Sequence, residues 1–230
     1  MRHCLHNYLG RVAYRDGIDL QERCARAIKD GSPTDHLLLL EHPPVITLGR
    51  NARDDDVLLG ATTLRARGIT VERTNRGGQV TYHGPGQLVG YPIVDLKPDR
   101  RDVGRYLRDL ENLLIRALDR FGITAGRRTG LTGVWVGEEK IAAIGVHLSR
   151  WVTTHGFALN VTTDLSHFGF IVPCGLRGPD VTSMERILRR RIPLEDVASE
   201  IVPLFGELFE RTMIDNDQPE EQGAAAGGIG

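Results

Sequence analysis

The amino-acid sequence predicts an α+β fold in which a mostly antiparallel or mixed sheet is flanked by helices. Val103 to Phe121 repeats apolar residues with the 3.6-residue period of a helix. Three short apolar segments between Gly133 and Val161 are joined by tight glycine-containing links, which predicts an antiparallel meander. Helical and strand patterns do not alternate in a βαβ rhythm, so we expect no parallel α/β architecture.

The domain organisation follows from length and composition. A chain of 230 residues is long enough for one large domain or two small ones, and no segment resembles a linker. We therefore predict a single domain over residues 1–214. Residues 215–230 are polar at first and then almost entirely alanine and glycine, which predicts a disordered C-terminal tail.

Charge and cysteine content exclude several classes of protein. The formal net charge is −1, so the sequence provides no strong basic field for nucleic acid. No apolar segment has the length of a transmembrane helix, and the N-terminus lacks the apolar core of a signal peptide. The three cysteines are odd in number and widely spaced. They favour a reducing cytoplasm over a disulfide framework, and we expect neither a nucleic-acid nor a membrane partner.

The N-terminal half contains a predicted helix and a pair of buried strands. The helix runs from Asp19 to Lys29, and Cys24 on its apolar face is expected to be a small core residue. The strands run from His36 to Leu40 and from Val45 to Leu48. Between them His42, beside two prolines, is either an ordinary loop residue or a ligand-facing one. A helix (Leu58 to Arg67) and a strand (Ile69 to Arg73) follow.

The stretch from Arg76 to Pro92, RGGQVTYHGPGQLVGYP, is the most unusual in the chain. Its glycines permit backbone conformations and close approaches that a Cβ would forbid, and they surround two short alternating runs rich in polar side chains. We interpret the stretch as a hairpin whose surface contacts a ligand. The alternative is an elaborate hairpin with a wide loop and no binding role.

The remaining elements follow in order. Ile93 to Leu96 is predicted to be a strand that ends before Pro98, and the meander comprises Gly133 to Val136, Ile141 to Leu148 and Thr153 to Val161. Two C-terminal helices are predicted, from Val181 to Arg190 and from Leu194 to Phe209, and Pro203 marks a break or kink in the second.

Lys140 is a candidate catalytic base. Regular alternation along its strand gives it the same face as Ala142, Ile144, Val146 and Leu148. If that face is covered by the core, burial would lower the pKa of the ammonium and provide a base near neutral pH. The alternative is a solvent-exposed lysine at the tip of a hairpin, since charged residues are seldom buried.

Cys174 is a candidate nucleophile. It lies between Pro173 and Gly175 in a predicted loop, where a thiol can be exposed and directed towards a substrate. The alternative is an inert cysteine. A zinc site is not expected, because His83, His147, His155, His167 and Cys174 show none of the spacings of metal ligands. The chain also lacks the glycine-rich motifs of nucleotide-binding loops.

Five segments together resemble the lipoate-protein ligase B family, the octanoyl-[carrier protein]:protein octanoyltransferases. They are EHPPVITLGR, RGGQVTYHGPGQLVGYPIVDLK, GVWVGEEKIAAIGVH, THGFALNV and PCGLRGPDVTSME, and they span Glu41 to about Glu185 in the order typical of the family. The resemblance implies the fold of the biotin and lipoate protein ligases. It also implies that residues 1–214 form an acyltransferase domain without a cofactor.

The resemblance assigns roles to particular residues. Cys174 would form an acyl-thioester, and Lys140 would act as its acid/base partner. The acyl pocket would be lined by Arg76, Gly77, Gly78, Gln79, Val80, Thr81, Tyr82, His83, Ala143, Ile144, Gly145, Gly156, Phe157 and Ala158.

The implied reaction belongs to lipoate biosynthesis and protein lipoylation. The donor would be octanoyl-acyl carrier protein. The acceptors would be the lipoyl domains of 2-oxoacid dehydrogenase E2 subunits and the glycine cleavage H protein. Backbone amides at Gly77-Gly78 or Cys174-Gly175 would stabilise the oxyanion. Two alternatives stay open, an ATP-dependent lipoate or biotin ligase on the same fold and a non-catalytic acyl sensor.

Overall fold

In the computed structural model, which describes residues 2–98, 100–172 and 181–216, two β-sheets of unequal size form the framework. The strands in chain order are β1 (Arg2–Arg11), β2 (Asp35–Glu41), β3 (Val45–Leu48), β4 (Thr70–Arg73), β5 (Val80–His83), β6 (Gln87–Ile93), β7 (Gly126–Arg128), β8 (Leu131–Val136), β9 (Glu139–Ser149), β10 (Val152–Asn160) and β11 (Arg211–Asp215). The larger sheet has the order β11-β1-β2-β6-β10-β9-β8-β7, and the smaller one has the order β4-β3-β5.

Helices cover both faces of the larger sheet, and one short helix, which contains Leu64, packs against the smaller sheet. They are α1 (Tyr14–Lys29), α2 (Ala61–Ala66), α3 (Val103–Arg120), α4 (Met184–Leu188) and α5 (Leu194–Phe209). The long predicted helices are confirmed, and α5 has the predicted bounds and stays helical through Pro203. The helices predicted from Leu58 and from Val181 are shorter than expected. None of the helices in the described residues combines the length and apolar character needed to cross a bilayer.

The larger sheet is mixed, as predicted. β1 pairs in parallel with both β2 and β11, whereas all neighbouring pairs along β2-β6-β10-β9-β8-β7 are antiparallel. The unit β1-α1-β2 is therefore a parallel crossover, and the expectation that no βαβ unit occurs was wrong. β1 was not predicted because Cys4 is its only fully buried side chain, and polar residues such as His3 and His6 hide its apolar alternation.

Successive residues of β2 enter two different cores, because side chains alternate across a sheet. Leu37 and Leu39 pack with α3 and α5, whereas Leu38 and Leu40 pack with Cys24 and its neighbours on α1. Cys24 is thus a buried core residue, as predicted. On the other face α3 presents an apolar stripe to the sheet, and the side chain of Asp102 accepts a hydrogen bond from the Arg105 amide at the start of this helix.

The predicted hairpin from Arg76 to Pro92 does not exist. β5 pairs with β3 in the smaller sheet, whereas β6 pairs with β2 and β10 in the larger one. The Gly84-Pro85-Gly86 segment carries the chain from one sheet to the other. Gly86 has a φ of +80° and lies against Thr162, where a Cβ would come within 2.5 Å of the threonine Oγ1. The glycines therefore allow a sheet-to-sheet crossing that the sequence pattern alone disguises as a turn.

The two sheets contact each other through bare backbone. The Gly77 amide donates a hydrogen bond of 2.8 Å to the carbonyl of Val146 on β9. A Cβ on the neighbouring Gly145 would lie 3.0 Å from the carbonyl oxygen of Gly77. Small residues on both sides therefore permit the smaller sheet to lie close against the larger one.

A β-bulge at the start of β9 changes the face on which Lys140 lies. Val134 pairs with Ala142, but Trp135 pairs with Lys140, so Ile141 is an extra residue in the strand. Ile141 and Ala142 both enter the α3 core. Lys140 is thereby moved to the opposite face, and the prediction that it shares a face with Ala142 was wrong because it assumed regular pairing.

The C-terminal boundary differs slightly from the prediction. Asp215, the first residue of the predicted tail, ends β11 and pairs with His6. The Asn216 amide also donates to the His6 carbonyl. Residues 217–230 lie outside the described residues, so the rest of the predicted tail stays a prediction.

Candidate active site

A cavity of about 340 Å³ lies between the two sheets, and we call it the central cavity. It gathers most of the residues that were predicted to bind substrate. Those that line it are Arg76, Gly78, Gln79, Val80, Thr81, His83, Ala143, Ile144, Gly145, Gly156, Phe157 and Ala158. Lys140 also lines it.

Gly77 and Tyr82 are the predicted pocket residues that do not line the central cavity. Tyr82 lies in the core of the smaller sheet, where its hydroxyl is 2.7 Å from His167 Nδ1. The amide of Gly77 is already bonded to Val146. This bond removes Gly77 from the predicted oxyanion donors.

One side of the cavity is apolar and built from very small residues. Ala143 pairs with Ala158, and Gly145 pairs with Gly156, on the adjacent strands β9 and β10. We call these four residues the apolar floor. Ala143 and Ala158 present only a methyl group to the cavity, which leaves space that larger side chains would fill. A Cβ on Gly145 or Gly156 would instead meet the backbone of Gly77 or Gly90, so the two glycines permit close packing around the floor.

Phe157 lies between the floor residues Gly156 and Ala158 in sequence, and Gly90 on β6 makes room for its ring. A Cβ on Gly90 would overlap the ring of Phe157. Phe157 is only 2% exposed, and it belongs to the core that α3 and α5 cover. The floor is therefore supported from below by a fixed aromatic ring.

The opposite side of the cavity is polar, and we call Arg76, His83 and Gln87 its polar wall. Arg76 is 8% exposed. Its Nη2 donates to the carbonyl of Thr47 at 2.7 Å and to the Thr47 hydroxyl at 2.8 Å. Burial lowers the pKa of Arg76, and the fixed guanidinium is held by acceptors of the smaller sheet.

The tautomer of His83 follows from its neighbours. Gln87 Nε2 donates to the Tyr82 carbonyl at 3.2 Å and to Asn160 Oδ1 at 2.9 Å. Gln87 Oε1 must therefore accept, and His83 Nδ1, 2.8 Å away, is the donor. Burial, the first cause, together with nearby positive groups, lowers the pKa of His83 to about 3, so the ring is neutral near pH 7.

His42 lies behind this wall and does not line the central cavity. Its Nδ1 donates to the Val12 carbonyl at 2.7 Å, which leaves Nε2 to accept a hydrogen bond of 2.7 Å from the Tyr91 hydroxyl. Burial lowers the pKa of His42 to about 4. Of the two interpretations made from the sequence, the ligand-facing one is not supported. His42 is a buried residue that orients an aromatic side chain of the cavity.

Sequence reasoning missed several cavity residues. Tyr14, at the start of α1, and Tyr91 and His155, on strands of the larger sheet, all line the cavity. Nothing in the local sequence around Tyr14 distinguishes it from an ordinary core tyrosine. His155 was noticed only as a possible metal ligand. Among the described residues, no group of three His, Cys, Asp or Glu side chains could hold a metal ion.

Lys140 is partly buried at one end of the cavity. Its ammonium donates to the Thr132 carbonyl at 3.3 Å and lies 4.8 Å from the centre of the Trp135 ring. The Lys140 carbonyl accepts a hydrogen bond of 3.0 Å from the Thr182 amide. The lysine is therefore held in place through both its side chain and its backbone.

Cys174 lies outside the described residues. The residues on either side of the undescribed segment 173–180 are described, and both Ile171 and Val181 line the central cavity. Val181 also forms an isolated bridge with Lys140, and the Val172 amide donates to the Asp56 carbonyl.

A family model described as the lipoyl protein ligase A/B catalytic domain matches residues 13–206. A protein of Solibacter usitatus (strain Ellin6076) named octanoyltransferase is 56% identical over 214 residues, which is 93% of this chain and 96% of the relative.

Solved structures share the fold at low sequence identity. A lipoate-protein ligase A bound with ATP superposes with a TM-score of 0.80 and 18% identity, covering 96% of this chain and 90% of the other. The biotin protein ligase of Aquifex aeolicus gives a TM-score of 0.51 and 13% identity, over 91% of this chain and 70% of the other. The fold is that of the lipoate and biotin protein ligases, and the matches in sequence establish that this chain belongs to the family of lipoyl protein ligase A/B catalytic domains.

Proposed function

We propose that the protein is an octanoyltransferase that moves an octanoyl group from octanoyl-acyl carrier protein to a lysine of a lipoyl domain. The observation that carries the proposal is the position of Lys140, which the bulge at Ile141 turns towards the central cavity and its apolar floor. The identity of 56% to a protein named octanoyltransferase supports the choice of acyl group.

The chemistry needs a nucleophile and a base, and it does not need ATP. A thioester is already activated, so its acyl group can pass to an amine and form a stable amide. In the first step Lys140 accepts the proton of Cys174, the Cys174 sulfur forms a bond to the acyl carbon, and the bond from that carbon to the carrier sulfur breaks. The carrier thiolate takes the proton from Lys140 and leaves as a thiol. In the second step the neutral amine of the acceptor lysine attacks the Cys174 thioester, the carbon–sulfur bond breaks, and Lys140 passes the proton lost by the amine to the Cys174 sulfur. General acid–base catalysis of this kind contributes a factor of about 10² to 10⁴.

The positions of the flanking residues support Cys174 as the nucleophile. Val172 is two residues before Cys174, and an extended chain covers about 3.5 Å per residue. Ile171 and Val181 both line the cavity, and Val181 pairs with Lys140, so the undescribed segment starts at the cavity and ends beside the lysine.

The other two cysteines are unsuitable nucleophiles. Cys4 and Cys24 are buried in the hydrophobic cores on opposite faces of the larger sheet. Burial, with the nearby Asp35 carboxylate as a smaller cause, raises the pKa of the Cys4 thiol far above its ordinary value. Neither thiol lines the central cavity.

The apolar floor provides the affinity for the acyl chain. Each buried methylene contributes about 0.8 kcal/mol, so seven carbons beyond the carbonyl provide roughly 5 kcal/mol. His83 and Gln87 hydrogen-bond to each other, and Arg76 and Gln87 also bond to Thr47 and Asn160, so an acyl chain deprives few of these groups of a partner.

Incubation with octanoyl-acyl carrier protein followed by mass spectrometry tests the proposal. We expect one octanoyl adduct on Cys174 in the wild type and none in Cys174→Ser. Lys140→Ala should lose at least 10²-fold in transfer rate. Cys24→Ser is the matched control and should keep its activity. An adduct on another residue, or transfer by Cys174→Ser, would refute the covalent route.

The acceptors proposed are the lipoyl domains of 2-oxoacid dehydrogenase E2 subunits and the glycine cleavage H protein, in the cytoplasm. The same assay distinguishes the remaining alternatives. Modification of a lipoyl domain that depends on ATP and free acid would indicate a ligase. Tight binding of the octanoyl donor without turnover would indicate a sensor.

A further inference from the structure

A second cavity, also of about 340 Å³, lies on the α1 side of the larger sheet. Its lining includes Ala25 and Lys29 of α1 and His147 and Val152 near the β9–β10 turn. His155 lines both this second cavity and the central cavity. His155 therefore lies at the boundary between the two spaces.

His155 lies at the opposite end of the cavity from Lys140. On β9 and β10 the floor pairs Ala143–Ala158 and Gly145–Gly156 are followed by the pair Val146–His155. The Lys140 ammonium reaches Gly133, beside the Val134–Ala142 pair. Val146 is four residues beyond Ala142, which corresponds to roughly 13 Å at 3.3 Å per residue and is close to the reach of an octanoyl chain. An acyl chain whose carbonyl lies near Lys140 and that extends along the floor therefore points towards His155.

The imidazole and the backbone of His155 are each held by a hydrogen bond. It is 4% exposed, and its Nε2 donates to Asn75 Oδ1 at 2.7 Å. Its backbone amide donates to Gln21 Oε1 on α1 at 2.6 Å. The first bond holds the ring against the segment before Arg76, and the second ties the backbone of His155 to α1, so that the residue does not move aside easily when a chain reaches it.

The backbone of His155 is held in an unfavourable conformation. Its φ is +58°, in the left-handed region that residues other than glycine seldom adopt. Such conformations persist where the surrounding structure imposes them, and they are common at functional sites. A glycine at this position would relieve the strain and remove the side chain at this end of the cavity.

We propose that His155 sets the upper limit of acyl chain length by closing the far end of the central cavity. This inference rests on the proposed function and names a determinant of its substrate range. With the imidazole present, a chain longer than octanoyl meets a buried, hydrogen-bonded ring. Without it, the two cavities join, and the end of a longer chain extends into the second cavity.

The test compares transfer rates from octanoyl-, decanoyl-, dodecanoyl- and myristoyl-acyl carrier proteins. Wild type should transfer octanoyl fastest. In His155→Gly, which suits the positive φ, the ratio of dodecanoyl to octanoyl transfer should rise at least tenfold. Each buried methylene is worth a factor of about four, and the polar lining of the second cavity reduces the gain.

Two further variants complete the design. His147→Ala changes a residue that lines the second cavity alone, and its chain-length profile should match that of wild type. His155→Asn keeps a polar side chain and tolerates a positive φ. It should raise the ratio about threefold, and it decides the test if circular dichroism shows that His155→Gly is unfolded.

The outcomes separate this inference from the function on which it rests. No octanoyl transfer by wild type would refute the proposed function. Octanoyl transfer by wild type with an unchanged profile in the folded His155 variant would refute only the role of His155. Equal transfer rates for all acyl chain lengths in wild type would also refute the role of His155.

Discussion

The two sides of the central cavity are built on different principles. The apolar floor consists of alanine and glycine, which leave space for a chain and let neighbouring backbone pack closely. The polar wall consists of Arg76, His83 and Gln87, which are buried and hydrogen-bonded to one another or to the smaller sheet. The floor can therefore be damaged by adding atoms, whereas the wall can be damaged by removing a hydrogen-bond partner or by adding a proton.

Acidification should act on the polar side most strongly. His42, His83 and His155 have pKa values lowered to about 4, 3 and 3, chiefly by burial. In the unfolded chain each has a pKa near 6.5, so below that pH the unfolded state binds more protons. The contribution of these three neutral rings to the free energy of unfolding is therefore fully present above about pH 6.5. The free energy of unfolding then falls as the pH decreases, by about 4 kcal/mol per pH unit near pH 5.

Urea unfolding at pH 7, 6 and 5 measures this slope, and His83→Gln should lower it by about a third. A slope unchanged in His83→Gln, or stability independent of pH over this range, would show that these rings are not buried and neutral.

Removal of the buried guanidinium should have the next largest effect. Arg76→Met leaves the Thr47 carbonyl and hydroxyl without their donor, and we expect a loss of about 3 kcal/mol in the free energy of unfolding. Arg23→Met, on the exposed face of α1, is the control and should change stability by less than about 0.5 kcal/mol. Similar losses for the two variants in urea unfolding would contradict a special role for the wall.

Interruption of the hydrogen bonds that link His83, Gln87 and Asn160 should lower the free energy of unfolding somewhat less. Gln87→Met keeps the volume but leaves His83 Nδ1, the Tyr82 carbonyl and Asn160 Oδ1 without a partner, for an expected loss of about 2 kcal/mol.

Asn160 also donates to the Thr182 carbonyl, and Thr182 in turn contacts Lys140. The transfer rate in Gln87→Met should therefore fall together with stability. An unaffected transfer rate would show that these hydrogen bonds have only a structural role.

The smallest change concerns the floor. In Gly145→Ala the new methyl group would lie 3.0 Å from the Gly77 carbonyl oxygen, so the two sheets must separate by a few tenths of an ångström. We expect a loss of about 1 kcal/mol or less in urea unfolding, and a larger fractional loss in octanoyl transfer than in butyryl transfer. An equal loss for both chains would indicate that Gly145 does not contact the chain.

Periodicity predicted the elements that are buried on one face. The stripe on α3 and the apolar meander follow rules that depend on local sequence alone, and both were confirmed. β1 and β11 were missed because most of their side chains are only partly buried or exposed, and parallel pairing to distant segments leaves no local signal.

The site was predictable in its residues and not in its geometry. The polar and glycine-rich composition of the stretch after Arg76 indicated a binding surface, but which sheet each half joins depends on distant partners. Tyr14 and His155 could not be assigned from the sequence, because they reach the cavity only through the packing of α1 and the register of β10.

The extra residue in β9 makes the orientation of Lys140 a matter of residue count. Deletion of Ile141 would restore regular pairing with β8 and direct the ammonium towards α3, although no side chain of the floor would have changed. Searches for distant proteins with the same chemistry should therefore require the spacing from the lysine to the glycine of the floor, Lys140 to Gly145, as well as the lysine itself. A designer who transplants this lysine into a related sheet would need to insert one residue after it.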